Sequence, residues 1–353
     1  MKTIIIGGGL SGLALAATLD KAGADFTVFE ARDRFGGRIL TEHHGGAAFD
    51  LGPAWFWPGQ PRIAALIDQL GLEKFDQYAT GDLTFEDETG QIHRGQGFAS
   101  MQGSWRLKNG FGALIDALVA DISAESAHLN ASVRSLENTP NGVRVTQVNG
   151  TSHLADRVVL ALPPRLASTL TFTPALPDDV QQSMIDIPTW MAGQAKTVAI
   201  YATPFWRDTG LSGDAMSRRG PMIEVHDASP AVGGPYALFG FIGVPPQARI
   251  DDQALKKSAL SQLIRLFGPA AAEPEAMFVT DWARAPRTST PYDQAPLYAH
   301  PTYGLPPQMN GLWDGKLILS GTETAPQFGG YLEGALEAAD ITARSLLTPE
   351  SGP

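Results

Sequence analysis

The chain has 353 residues, 43% of them apolar, with a net charge of -11 and a pI near 5.1. That length can bury a large core and suggests about two domains, while the acidic balance excludes nucleic acid as the main partner, because phosphate binding needs a basic surface. With no cysteine, disulfides, thiolate nucleophiles and cysteine-ligated metals are excluded; the composition fits the reducing cytoplasm, which is the expected location.

The chain enters an apolar strand within three residues, leaving no room for a secretion leader. No apolar run reaches the roughly 18 residues of a membrane span, and the Thr348–Pro353 tail offers no hydrophobic anchor. Lys2–Ile6 is a β-branched run bounded by glycines and reads as a buried parallel strand. Leu10–Ala22 reads as a helix packed on a sheet, and Phe26–Glu30 as the second strand of a βαβ unit. A glycine-rich charged loop (Asp33–Arg38) and an extended stretch around Ala47–Leu51 follow, then a helix over Ile63–Leu70 that stops at Gly71. Residues 76–107 are mixed and polar and predict no long helix, whereas Phe111–Ile122 predicts a clear one.

From 131 to 162 the pattern alternates. Strands are predicted at Val143–Val148 and Arg157–Leu162, with Asn141-Gly142 and Asn149-Gly150 as turns. Pro163-Pro164 marks the expected domain crossing. Strands at Thr197–Tyr201 and Tyr236–Ile242 and a helix near Ala254–Phe267 predict a second domain. Leu317–Ser320 reads as a further buried strand, leading through Gly321-Thr322-Glu323 to a helix from about Tyr331 to Leu347. The expected fold is α/β: a discontinuous Rossmann-like nucleotide domain (1–75, 106–165 and 291–353) with a smaller α+β, mixed-sheet substrate domain (76–105 and 166–290).

Gly7, Gly9 and Gly12 form G-x-G-x-x-G at the first strand-to-helix junction. The first glycine permits the tight turn, the second lets a pyrophosphate approach and the third allows close helix–sheet packing; the helix N-terminus supplies N–H groups and positive dipole. Glu30 ends the second strand, 18 residues after Gly12, where it can accept from ribose hydroxyls. These features predict dinucleotide binding without separating NAD from FAD. Arg32 to Arg38 follow directly; Gly36-Gly37 lets backbone approach a ligand, and Arg38 can reach a pyrophosphate as a charge-assisted donor.

The motifs IIIGGGLSGLALA, FEARDRFGGRI, FDLGPAWFWPG, RLKNGFGALIDAL, VVLALPP, KTVAIYATPFWR and SGTETAPQFGGYLEGALEAA together resemble the flavin-containing amine oxidases, in the right order over nearly the whole chain. The resemblance implies FAD as cofactor, an amine as substrate and oxygen as the expected reoxidant. It places Gly321, Thr322 and Glu323 beside the flavin phosphate and ribityl chain, with the following helix, entered at Tyr331 and Leu332, pointing its N-terminus at the isoalloxazine. That orientation stabilises a reduced, anionic flavin. Arg32, Gly37 and Arg38 join the cofactor set, and Val133 is similar to the family's backbone contact on the adenine side.

The resemblance also implies a reaction centre. Lys196, eight residues before Pro204, matches the lysine that holds a water against flavin N5. Tyr331 and Tyr292 match two aromatic residues flanking the substrate amine, Trp282 becomes a wall of the flavin pocket, and Trp55–Trp57 lie near the cavity, with Trp55 and Phe56 as substrate contacts. The implied reaction removes a hydride equivalent from the carbon next to nitrogen, and water hydrolyses the imine. The seven histidines show no ligand spacing, so no metal is expected.

Two features depart from the family. Pro291 stands where animal monoamine oxidases carry a flavin-tethering cysteine, so FAD is expected to be non-covalent. Between Phe75 and Trp105, about thirty residues replace a longer helical insertion, leaving a more open entrance or one covered by a partner subunit in a homodimer. Arg62, Arg94 and Arg106 are conceivable carboxylate partners for an amino-acid substrate. Two other readings stay open: a related flavoenzyme acting on a C–C bond, such as a desaturase or porphyrinogen oxidase, and a non-enzymatic flavoprotein binding subunit.

Overall fold

The computed structural model describes residues 1–295, 297 and 299–348. Its centre is a five-stranded parallel sheet in the order Leu317–Leu319, Arg157–Leu160, Lys2–Ile6, Asp25–Phe29 and Ala127–His128. Strands from both ends of the chain lie side by side, so the nucleotide fold is closed by its C-terminal segment.

The central strand shows how sequence makes the layers. Side chains alternate between sheet faces, and both faces of this sheet are covered. Ile5 packs with the helices Leu10–Lys21, Gly112–Ala120 and Leu332–Leu347. Its neighbours Ile4 and Ile6 pack against Leu136, Val143 and Val145 of a four-stranded sheet on the other side. Ile4 and Ile5 are fully buried, each contributing about 2 kcal/mol of transfer free energy.

The expected crossing at Pro163-Pro164 falls too early. Thr171–Thr173 pairs in parallel with Val133–Thr139, and Leu176, Val180 and Met184 belong to the same core as the central sheet. Residues up to about 187 therefore stay with the nucleotide layers, because Phe172 and the apolar face of the helix Asp178–Asp186 have their partners there.

The second part is built on a seven-stranded mixed sheet in the order Ala276–Asp281, Ala195–Tyr201, Tyr236–Ile242, Met222–Asp227, Leu211–Ser217, Asp82–Glu86 and Ile92–Arg94. One face is covered by the helix Asp252–Phe267, whose Asp251 cap accepts from the backbone of Gln253 and Ala254. The other face, carrying Val198, Ile200, Phe239 and Phe241, meets Phe49, Leu51 and Trp55. Residues 76–107 hold no long helix, as expected; they supply the sheet's edge hairpin and the strand Trp105–Leu107. No helix among the described residues is long and apolar enough to cross a membrane.

Candidate active site

The cavity starts where the first strand enters its helix. Gly9 precedes Leu10 in extended conformation, and no side chain caps the helix, so its first N–H groups face the cavity. A Cβ on Gly12 would lie 2.0 Å from the Gly7 carbonyl oxygen; this glycine serves packing and does not line the cavity. A Cβ on Gly9 would meet nothing nearer than Gly37 Cα at 3.9 Å and would fill the space above the helix N-terminus. The Gly36 N–H donates to Gly8 O at 2.8 Å, holding the two glycine loops together as a floor.

Glu30 is buried and accepts from the Gly8 N–H and the Arg32 N–H, both at 2.8 Å. Each carboxylate oxygen has a second lone pair free for a ribose hydroxyl. Glu30 lines two adjoining cavities, which share Gly7, Glu30, Arg32, Leu162 and Arg287. The smaller one runs on to Val133, Ser132 and Ala131; the larger runs past Gly37, Gly321, Thr322 and Leu332 to Lys196. An elongated, bipartite space with an acid at its neck and a helix N-terminus above its floor fits a dinucleotide carrying a flavin.

Two cofactor residues take different parts from those expected. Arg38 lines the cavity but is forked onto the fully buried Glu323, at 2.6 and 3.2 Å. Glu323 is absent from the cavity wall; it holds Arg38 in place, and its charge keeps the buried guanidinium firmly protonated against the opposing effect of burial. Tyr331 precedes the 16-residue helix Leu332–Leu347, so the positive end of that helix opens onto the larger cavity. Trp282 is buried, lines the same wall and donates through Nε1 to Leu51 O at 2.9 Å.

Lys196 shares a strand face with Val198 and Ile200, which puts it against the nucleotide layers rather than solvent. It is buried in the cavity wall, donates to Gly52 O at 2.5 Å and lies 5.6 Å from the Phe241 ring centre. Burial lowers its pKa to about 8, with Asp50 opposing the shift. Asp50 is itself pushed up to about 6 by burial, against the Thr41 hydroxyl, Arg106, the Phe111 N–H and Lys196.

Tyr292 and Phe56 are corrections. Tyr292 is 62% exposed and absent from the cavity wall. The buried anchor of its short turn is Asp293, which accepts from Thr290 and Arg165; that grip turns Tyr292 outward. Phe56 is fully buried against Trp105 and Phe111, because alternation sends Trp55 and Trp57 to the cavity and Phe56 to the core. Tyr331 lines the cavity and stacks on His300 at 4.8 Å and 15°, and His300 meets Trp190 edge-on.

None of the three candidate arginines lines this cavity. Arg62 pairs with Glu333 and Asp340, Arg94 donates to Thr84 and Leu266 O, and Arg106 donates to Ser229 O and Ala228 O. Sequence reasoning missed Gln60, Met101, Trp190, Met191, Phe241 and Arg287. Phe241 had a signal: it is the register partner of Lys196 on the neighbouring strand.

The family model for flavin containing amine oxidoreductase matches residues 10–99 and 87–347. Flavin-containing amine oxidase B of Sus scrofa is 23% identical over 98% of this chain and 85% of its own. Putrescine oxidase of Kocuria rosea is 23% identical over 98% and 94%. Among solved structures, cyclohexylamine oxidase from Brevibacterium oxydans, at 22% identity, has the same fold with a TM-score of 0.82 over 98% of both chains. With that match spanning most of the chain and a cavity shaped for the cofactor, the chain belongs to the flavin-containing amine oxidoreductases, and its activity is the FAD-dependent oxidation of an amine.

Proposed function

We propose that the substrate is a monoamine with an apolar, ring-sized body, oxidised beside Lys196 and Tyr331 with oxygen as the final acceptor. One observation carries this reading: the reacting end of the cavity is walled by Trp55, Trp57, Trp190, Phe241 and Tyr331, with Lys196 and Gln60 as its polar side chains. Among the described residues the one carboxylate on the wall, Glu30, sits at the neck. A second ammonium group would therefore lack an ionic partner, and burying an unpaired charge is costly. A substrate carboxylate would have Lys196 to meet, since Arg38 on the same wall is already held by Glu323. The putrescine named for the relative is a diamine, and this wall disfavours one.

When bound, the flavin supplies the acceptor for a hydride equivalent from the carbon next to nitrogen. The chain's own residues prepare the amine. Once an apolar body covers the aromatic wall, the amine loses the solvation that favours an ammonium, so it reacts neutral. Tyr331, held flat by His300, limits the poses of the bound amine. Lys196, fixed by Gly52 O, holds a water at its Nζ; with a pKa of about 8 it exchanges a proton near neutral pH.

Anaerobic bleaching of the yellow holoenzyme tests this with three matched compounds: benzylamine, 4-(aminomethyl)benzylamine and 4-(aminomethyl)benzoate. Benzylamine should bleach fastest. Preference for either charged analogue refutes the monoamine assignment while leaving amine oxidation intact. Bleaching by none of a broad amine panel refutes the site assignment.

A further inference from the structure

We propose that Arg287 is a phosphate clamp, brought from the loop after Trp282 to close over the pyrophosphate of the bound dinucleotide; the inference rests on the assignment of FAD to the bipartite cavity. Among the described residues, Arg287 is one of five that line both cavities. Of the others, Gly7 forms the turn before the open helix N-terminus and Glu30 marks the ribose position, so the neck is where a pyrophosphate would lie.

The side chain is exposed and makes no hydrogen bond or ion pair with any described residue. That is informative in a chain with 37 acidic residues against 26 basic ones. The other guanidinium of the neck, Arg32, is already engaged by the Thr288 hydroxyl, with Glu30 at 3.9 Å, and Arg38 in the larger cavity is held by Glu323. Burial lowers the pKa of Arg32, and repulsion from Arg34, Arg287 and Arg38 adds to the shift against the opposing charge of Glu30, so Arg287 stands among several like charges at this end of the cavity. An anion between them relieves that repulsion, and the N–H groups at the start of Leu10–Lys21 add to its binding.

The geometry separates this role from substrate recognition. Lys196, Trp55, Trp57 and Phe241 line only the larger cavity, whereas Arg287 lies at the junction with the smaller one. Its fork, unengaged by any described residue, can bridge two phosphate oxygens. Because it comes from a loop beyond the glycine motif, it adds a latch that the motif alone lacks.

The test follows FAD release from dilute holoenzyme by the rise in flavin fluorescence, at low and high KCl. Arg287→Gln should release FAD about tenfold faster at low salt, as expected for one lost charge-assisted contact. Its release should also depend less on KCl, because a screened attraction has been removed. Arg287→Lys should recover part of the difference. Equal release rates for Arg287→Gln and the parent protein overturn the proposal. Faster release with an unchanged KCl dependence also overturns it, since the effect would then come from packing and not from phosphate charge.

Discussion

Replacing Lys196 by methionine should make the protein more stable and the reaction slower. The buried ammonium has a pKa of about 8 in the fold against 10.5 when free, a gap equivalent to about 3 kcal/mol. Because the folded value is the lower one, the charge destabilises the fold by that amount at every pH below about 8. The penalty shrinks between 8 and 10.5 and is gone above. Methionine removes the charge and keeps most of the volume, but the 2.5 Å bond to Gly52 O is lost, at about 1–2 kcal/mol. The net gain at pH 7 is about 1–2 kcal/mol, which for a chain of 353 residues raises Tm by about 1–3 °C. Thermal melts with saturating FAD at pH 7 and pH 10.5 provide the assay, since only the missing hydrogen bond remains at the higher pH and the gain should vanish or reverse. A variant less stable at pH 7, or a Tm difference that ignores pH, refutes the account of Lys196 as a desolvated ammonium. Stopped-flow measurement of flavin reduction and reoxidation reads the other half: unchanged rates in both would leave Lys196 with a structural part only.

The nucleotide half was legible because its constraints are local. Gly7, Gly9, Gly12 and Glu30 need fixed spacing on one βαβ unit, and Ile4–Ile6 is apolar on both faces because both faces are covered. Lys196 was legible only through its motif; period-two alternation explains its burial once Val198 and Ile200 are known to face the nucleotide layers. Strands such as Leu211–Ser217 were hidden because their buried positions are polar: Ser212 and Asp214 are buried, and Asp214 meets His226 at 2.7 Å, so hydropathy shows no stripe. Tyr292 failed for a reason outside its own motif. Its orientation is set by the grip of Arg165 on Asp293, 128 residues apart in the chain. Residues such as Trp190 and Arg287 reach the cavity from loops, where neither helix nor strand periodicity marks a direction.

Acid or heat should release FAD intact from the polypeptide, since no cysteine can tether it; flavin retained in the precipitate would contradict this. Gly12→Ala should abolish FAD binding or lower stability by several kcal/mol, because the added carbon lies 2.0 Å from Gly7 O; normal flavin loading of a folded variant would refute it. Tyr331→Ala should slow flavin reduction at least tenfold, while Tyr292→Ala, on an exposed turn, should change it less than twofold; the reverse ranking would restore the expectation from sequence. Between Phe75 and Trp105 the chain supplies edge strands and a loop that brings Met101 to the cavity wall, not a helical cover, and Tyr331 is left 36% exposed. A small aliphatic amine would leave uncovered the part of the wall that Trp55 and Trp57 present to the cavity, while a longer body covers it at about 0.8 kcal/mol per buried methylene. Across a series from short alkylamines to phenylalkylamines, KM should therefore fall by up to about fourfold per added methylene until the wall is covered. Steady-state oxidation of the series decides it: a flat profile, or preference for the shortest amines, would mean that the entrance is closed in the working enzyme, for instance by a second copy of the chain.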